Sequence, residues 1–366
     1  MSDRHAAFRR IAQDLGVDAV ALVPGPNFER LYDAAFGSHE RPMVVLIPAE
    51  GAPAALVPDL ELSAFAALGF EGEVFGWRDQ TGHAAAFAEL ARHLPLSSLA
   101  VEGQVMRVFT HHALVAAYPG LSVIDAEAEI SALRLRKSPA ELAALAEAIA
   151  ISEAALAETL DRVRVGMTEA EVERMLVAAL FAHGAEDQAF GALVAAAENA
   201  AHAHAHARAD YAIRPGDALL IDFGARKGRL CADITRTVFV GHASDEAQAV
   251  YDRVLAANRA GLAAARPGAT AHDVDDAATS VLEASPFAER IRTRTGHGLG
   301  RAVHEAPYIV RGNRQVLEPG MVFTVEPGLY RDGPGGFGVR IEDDVLVTED
   351  GARALTTFPR ELRIVG

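Results

Sequence analysis

The chain alternates short apolar runs with longer stretches of helical periodicity. Residues 4–15 read as a short helix. Residues 17–23 are apolar apart from Asp18 and read as a strand, closed by Pro24-Gly25-Pro26-Asn27. Strands follow at 43–47 and 54–57, around a Glu50-Gly51 turn. Residues 84–94 and 109–117 read as helices, and 99–101 and 121–124 as strands. Together they describe an α/β layer over residues 1–127. Its polar residues Asp18, Glu102, His111 and His112 are scattered and read as solvated or structural. The basic residues Arg134, Arg136 and Lys137 mark a boundary and are expected on a solvated linker face, with contact to another subunit as the alternative.

Beyond that boundary the helices announce their own starts. Ser138-Pro139-Ala140-Glu141 supplies an N-cap, a proline at the first helical position and a capping-box glutamate. The spacing predicts a helix from 139 to about 163. Thr168 with Glu171 opens a second, to about 183. Thr270 with Asp273 opens another, to about 284, after a helix beginning near Ser244. Each helix pair precedes a predicted hairpin, at 216–240 and at 320–346. This is an internal two-fold repeat of an αα-ββ unit. It predicts helices on one face of a curved antiparallel sheet, with the other face free to hold a site.

The hairpins carry the candidate chemistry. Residues 218–223 are apolar except Asp222, and 230–240 are β-branched and apolar around Asp233. A Lys227-Gly228 turn would place Asp222 directly opposite Asp233, about 5 Å apart between Cβ atoms. Cys231, Asp233, Thr235 and Thr237 would share a face. Two facing carboxylates repel unless a cation lies between them. A register shift would instead send one acid to solvent. The second hairpin repeats the theme. Glu326 ends a β-branched strand, and alternation places Val339 and Ile341 on one face with Arg340 and Glu342 on the other. Asp343 is out of phase and is expected in solvent or capping the turn. Four strand-borne acids aimed into one cavity fit two divalent ions with shared carboxylates. His297, between glycines in TGHGLG, offers a nitrogen ligand, with a satisfied core histidine as the other possibility. Glu305, after His304, reads as structural. His202, His204 and His206 alternate, so in a strand all three face one way. They form either a surface ribbon or a site wall.

Composition narrows the classes. Hydrophobic residues make up 50% of 366, so the chain folds, and its length suits two domains. A net charge of −16 argues against a nucleic-acid surface. Cys231 is the single cysteine, which excludes an intrachain disulfide and fits a cytoplasmic setting. The first residues lack an apolar signal core, and no apolar run reaches membrane-spanning length.

The segments IDFGA (221–225), ADITRTV (232–238), GHGLG to VHEAPYI (296–309), EPGMVFTVEPGLY (318–330) and GVRIEDDVLVTEDG (338–351) resemble the pita-bread metallopeptidases. That family includes methionine aminopeptidase, aminopeptidase P, prolidase and creatinase. The resemblance is strong over 128–366 and looser, to the creatinase and prolidase amino-terminal domain, over 1–127. It implies a pita-bread catalytic domain with a pseudo-two-fold repeat after a smaller α/β domain. It also implies two divalent ions, Mn²⁺ first, with Co²⁺ or Zn²⁺ as alternatives. Their ligands would be Asp222, Asp233, His297, Glu326 and Glu342, with Asp233 and Glu342 bridging. His304 and Arg340 match the proline-specific branch, as does the closing TTFPREL (356–362). The family's Gly-x-Asn…Pro-His stretch is Glu198-Asn199-Ala200-Ala201-His202-Ala203-His204 here. The count from Asn199 selects His204, without the usual proline.

The implied reaction is hydrolysis of a peptide with proline at the second position. Glu326 would move the proton, and His204 and His304 would hold the carbonyl or the substrate carboxylate. Arg340 would orient a carboxylate. A dipeptidase is the first expectation and aminopeptidase P the second. A creatinase-like hydrolase or a metal-free binding protein fits the intact ligand set less well. The amino-terminal domain is expected to wall the cleft, in a cytoplasmic homodimer.

Overall fold

The computed structural model describes residues 4–37, 39–202 and 205–366. Two compact units divide the chain, 1–134 and 135–366. Among the described residues no helix is long and apolar enough to cross a membrane.

The first unit is built on a six-stranded mixed sheet. Its strand order is Glu73–Trp77, Ala54–Pro58, Val44–Pro48, Ala19–Leu22, Ser98–Val101, Ser122–Asp125. The three central strands are buried along their whole length. Alternate residues feed two cores. Val20, Leu22, Val45 and Ile47 enter one, and Ala19, Ala21, Val44 and Leu46 the other. Cover on both faces explains why these strands read as unbroken apolar runs. Several elements are not legible in the sequence, among them a helix and an edge strand. Pro26–Tyr32 is a helix, because the proline taken as a stop occupies its first turn. Glu73–Trp77 is a half-exposed edge strand, short and interrupted by Gly76, with Phe75 and Trp77 turned into one core. Glu102 is buried and accepts from Asn27 Nδ2 at 2.6 Å.

The second unit opens with two capped helices, Pro139–Arg162 and Glu169–Ala182, which pack together. A second pair, Asp245–Ala264 and Ala271–Glu283, does the same. Capping boxes are formed at Ser138, Thr168 and Thr270, and Ser244 caps the remaining helix. After the first pair, Leu193–Ala196, Ala218–Phe223 and Ile234–Val240 form an antiparallel sheet, extended in parallel by Ile364–Val365. After the second, Val322–Val325 pairs with Asp343–Val347 in a five-stranded sheet. Leu219, Ile221 and Phe223 face the first helix pair with Leu156, Leu160 and Leu176. Val339 and Ile341 pack with Val250 and Val254 of the second. Strand alternation therefore turns Asp222, Arg340 and Glu342 away from the helices.

The central hairpin differs from its expected register. Lys227 pairs with Leu230, so the turn is Gly228-Arg229, one residue later than the sequence suggests. Both turn residues have positive φ, 53° and 62°, as the favoured two-residue hairpin turn requires. Asp222 consequently lies opposite Thr235, not Asp233. The two acids become diagonal neighbours on one face. Gly224 permits the close approach there, since a Cβ would come within 1.7 Å of the Ala232 carbonyl oxygen.

Two of the three boundary cations also depart from expectation. Arg136 is exposed, but Arg134 and Lys137 are buried. Lys137 is drawn in by Glu305, with Nζ 2.7 Å from Oε1.

Candidate metal centre

A cavity of about 780 Å³ opens in the second unit, and the acids of both hairpins line it. Asp222 comes from the end of Ala218–Phe223, and Asp233 from the irregular step before Ile234–Val240. Glu326 follows Val322–Val325, and Glu342 follows Phe337–Arg340. Each sits where a strand ends or breaks, so its side chain escapes the sheet's own packing. Asp233, His297 and Glu342 each present a ligand atom within 4.8 Å of the other two. His297 Nε2 lies 3.1 Å from Glu326 Oε1 and 3.6 Å from Asp233 Oδ2.

The donors are held from behind. His297 Nδ1 is 3.1 Å from the Gly298 carbonyl oxygen, which only accepts. That contact fixes the ring so that Nε2 is the nitrogen facing the carboxylates. Thr235 donates to Glu342 at 2.6 Å, and Thr324 to Glu326 at 3.2 Å. Arg340 is buried. It donates to Asp222, to the Tyr330 hydroxyl at 2.9 Å and to Thr235 Oγ1 at 3.0 Å.

Four carboxylates surround one guanidinium, so the site has an excess of negative charge. Burial pushes the Asp233 carboxyl well above its usual range, and Glu342, Asp222 and Glu326 push it further. Glu342 is also raised well above its ordinary value, first by burial and then by Glu326 and Asp222. Asp222 is raised by burial, partly offset by Arg340. At Glu326 burial also raises the carboxyl, but His297 and Arg340 outweigh it and hold the group below the usual range. Asp222 Oδ1 and Asp233 Oδ1 are buried without a hydrogen-bond partner. Carboxylate oxygens without partners, an imidazole nitrogen among them and uncompensated charge together fit divalent cations.

Asp343 is not in solvent. It is fully buried, held by Arg236 at 2.9 Å, Arg360 at 2.6 Å and Asn258 at 3.0 Å. Its place in a strand covered on both faces demanded counter-charges, which distant segments supply. Asp344 is buried too, and its Oδ2 accepts from the Asp233 amide at 3.2 Å. Burial raises its carboxyl well above the ordinary value.

His304 lines the cavity, its ring centroid 4.0 Å from that of His297. His204 lies outside the described residues. The described part of the histidine segment is a loop and not a strand. His206 lines the cavity and His202 is exposed outside that lining. Glu169 anchors this loop. It accepts from the Ala196 amide at 2.7 Å, Asn199 Nδ2 at 3.0 Å and Arg208 Nη2 at 2.7 Å. The sequence reading missed Glu173, Phe190, Leu193, Arg294 and Val303, which also line the cavity. No local pattern marks them, because they come from a helix, a strand and loops that only folding brings together.

Residues 143–349 match the model of metallopeptidase family M24, and residues 4–136 the creatinase/prolidase N-terminal domain. The chain is 35% identical to a probable dipeptidase, PepE, of Mycobacterium bovis, covering 96% of this chain and 93% of that one. It superposes on a prolidase from Thermococcus sibiricus with a TM-score of 0.93 and 32% identity, covering 100% of both chains. An X-Pro aminopeptidase from Thermotoga maritima gives a TM-score of 0.84 at 30% identity, again over 100% of both. The repeated helix-pair and hairpin architecture is thus the pita-bread fold. With its acids, its histidine and a family match over more than half its length, the chain belongs to metallopeptidase family M24 and is a peptidase.

Proposed function

We propose that this protein is a manganese-dependent, dinuclear Xaa-Pro dipeptidase. The observation that carries the reading is the convergence of Asp222, Asp233, His297, Glu326 and Glu342 on one cavity. These five would hold the ions, with Asp233 and Glu342 shared between them. When bound, two divalent ions lower the pKa of a water nucleophile and polarise the scissile carbonyl.

The chain's own residues do the rest. Glu326, kept ionised by His297 and Arg340, takes the proton of the attacking water and delivers it to the departing proline nitrogen. His304, together with His204, stabilises the carbonyl oxygen as its charge grows. Arg340 holds Asp222 in place. Proline's nitrogen has no hydrogen to donate, so a cavity offering it no acceptor does not penalise it. Arg294 and Glu173 bring opposite charges to the cavity wall. They suit the carboxylate and ammonium ends of a zwitterionic dipeptide. The reading includes a cytoplasmic homodimer, which light scattering of the metal-loaded protein checks for assembly.

Similarity to an X-Pro aminopeptidase keeps a second reading, release of the first residue from longer peptides. The Mn²⁺-loaded protein is expected to cleave an Xaa-Pro dipeptide with higher kcat/KM than the matching Xaa-Pro-Yaa tripeptide. The opposite order selects the aminopeptidase reading. No cleavage of either peptide removes both.

Arg294→Gln is expected to raise KM for Xaa-Pro about tenfold or more, the worth of a charge-assisted contact. KM for the C-terminally amidated dipeptide should hardly move. An equal rise for both substrates rules out carboxylate recognition by Arg294.

A further inference from the structure

Lys137 and Glu305 form a buried ion pair, with side chains only 3% exposed each. Nothing in the catalytic scheme above uses them. A buried pair of this kind is weak evidence for stability, since well-packed apolar residues often do as well. Its location gives it another use.

Glu305 immediately follows His304 and opens the strand Glu305–Ile309, which pairs with Gly296–Gly298 and hence with the strand of His297. Gly300 sits directly on the pair: a Cβ there would come within 2.7 Å of Glu305 Oε1 and 2.9 Å of Lys137 Cε. Lys137 is itself fixed, because its amide donates to the Gly320 carbonyl at 2.8 Å. A second pin lies beside the first. Arg301 Nε is 3.2 Å from Glu141 Oε1, and both side chains are largely buried. Glu141 is the capping-box residue of Pro139–Arg162. Segment 137–141 thus grips the His304-bearing turn at both ends, through Arg301 and Glu305.

We infer that Lys137 and Glu305, assisted by Glu141 and Arg301, are positioning residues that hold His304 over the metal centre. The inference rests on the peptidase reading for its kinetic consequence. Its geometric consequence stands apart from that reading.

The test is a double-mutant cycle on the full chain. Lys137→Met with Glu305→Leu replaces the pair by apolar groups and should leave the fold and metal content intact. It is expected to lower kcat about tenfold or more with little change in KM, as loss of an outer support does. In a His304→Ala background the same double change should cost less than about twofold, because coupled residues are not additive. Arg301→Gln should show the same coupling with a smaller loss, and it serves if the double variant does not fold. In parallel, histidine NMR follows the His304 ring resonance, assigned by its disappearance in His304→Ala. That resonance should shift in the double variant of the metal-free protein. Equal losses with and without His304, no loss, or an unmoved ring resonance each overturns the proposal. Wild-type protein inactive on every Xaa-Pro peptide would instead strike the proposed function, while the ring resonance still decides the positioning.

Discussion

Asp233→Asn is expected to lower kcat/KM for Xaa-Pro hydrolysis roughly 10³-fold or more, because it would remove a carboxylate that the proposed site shares between two ions. Metal content measured by elemental analysis should fall with it. The same change should stabilise the chelated protein. In the metal-free site the Asp233 carboxylate is buried against Glu342, Asp222 and Glu326, and its Oδ1 has no partner. An amide of nearly the same size removes a charge that the fold otherwise accommodates poorly. Its backbone contact with Asp344 is retained, since the donor is the Asp233 amide. The expected signature is therefore a crossover. The variant melts higher than wild type in chelator and lower in saturating Mn²⁺. A variant that keeps its metal and full turnover, or one that melts lower in chelator as well, contradicts the ligand assignment.

Removing the metal should lower the melting temperature by an amount that grows with pH. The sign follows from the shifts. Asp233 and Glu342 have folded-state pKa values well above their ordinary ones, and Asp222 is raised as well. Such groups contribute stability that is complete below the unfolded carboxylate range, about pH 4, and is lost as pH rises through the folded values. Glu326 is shifted the other way and offsets only part of this. Bound cations reverse the balance, because they need the deprotonated ligands. With free metal near a thousandfold above Kd, the gain is about 4 kcal/mol, or roughly 10 °C for a unit of this size. The gap between loaded and chelated protein should be small near pH 5 and widest near pH 8. Calorimetry showing a constant or shrinking gap over that range excludes a carboxylate-built metal site.

The sequence by itself determined the helices of the second unit, because their starts are local chemistry. Ser138, Thr168 and Thr270 each bond an acid three residues on, and nothing distant is needed to form that cap. It also determined which face of the second hairpin each residue takes. A period of two assigns Val339 and Ile341 to the helices and Arg340 and Glu342 to the cavity once either face is buried. Tertiary structure decided the rest. The register of the central hairpin turned on whether Arg229 would accept positive φ, which composition disfavours and the surrounding strands impose. Asp343 and Lys137 read as solvated charges because their partners Arg236, Arg360 and Glu305 are remote or invisible to a local pattern. Arg294 and Glu173 bear no mark of a site until folding brings a loop and a helix to the same cavity. A charge carries no local sign of its burial. Its environment is set by contacts between residues far apart in the chain, and only the folded protein brings those residues together.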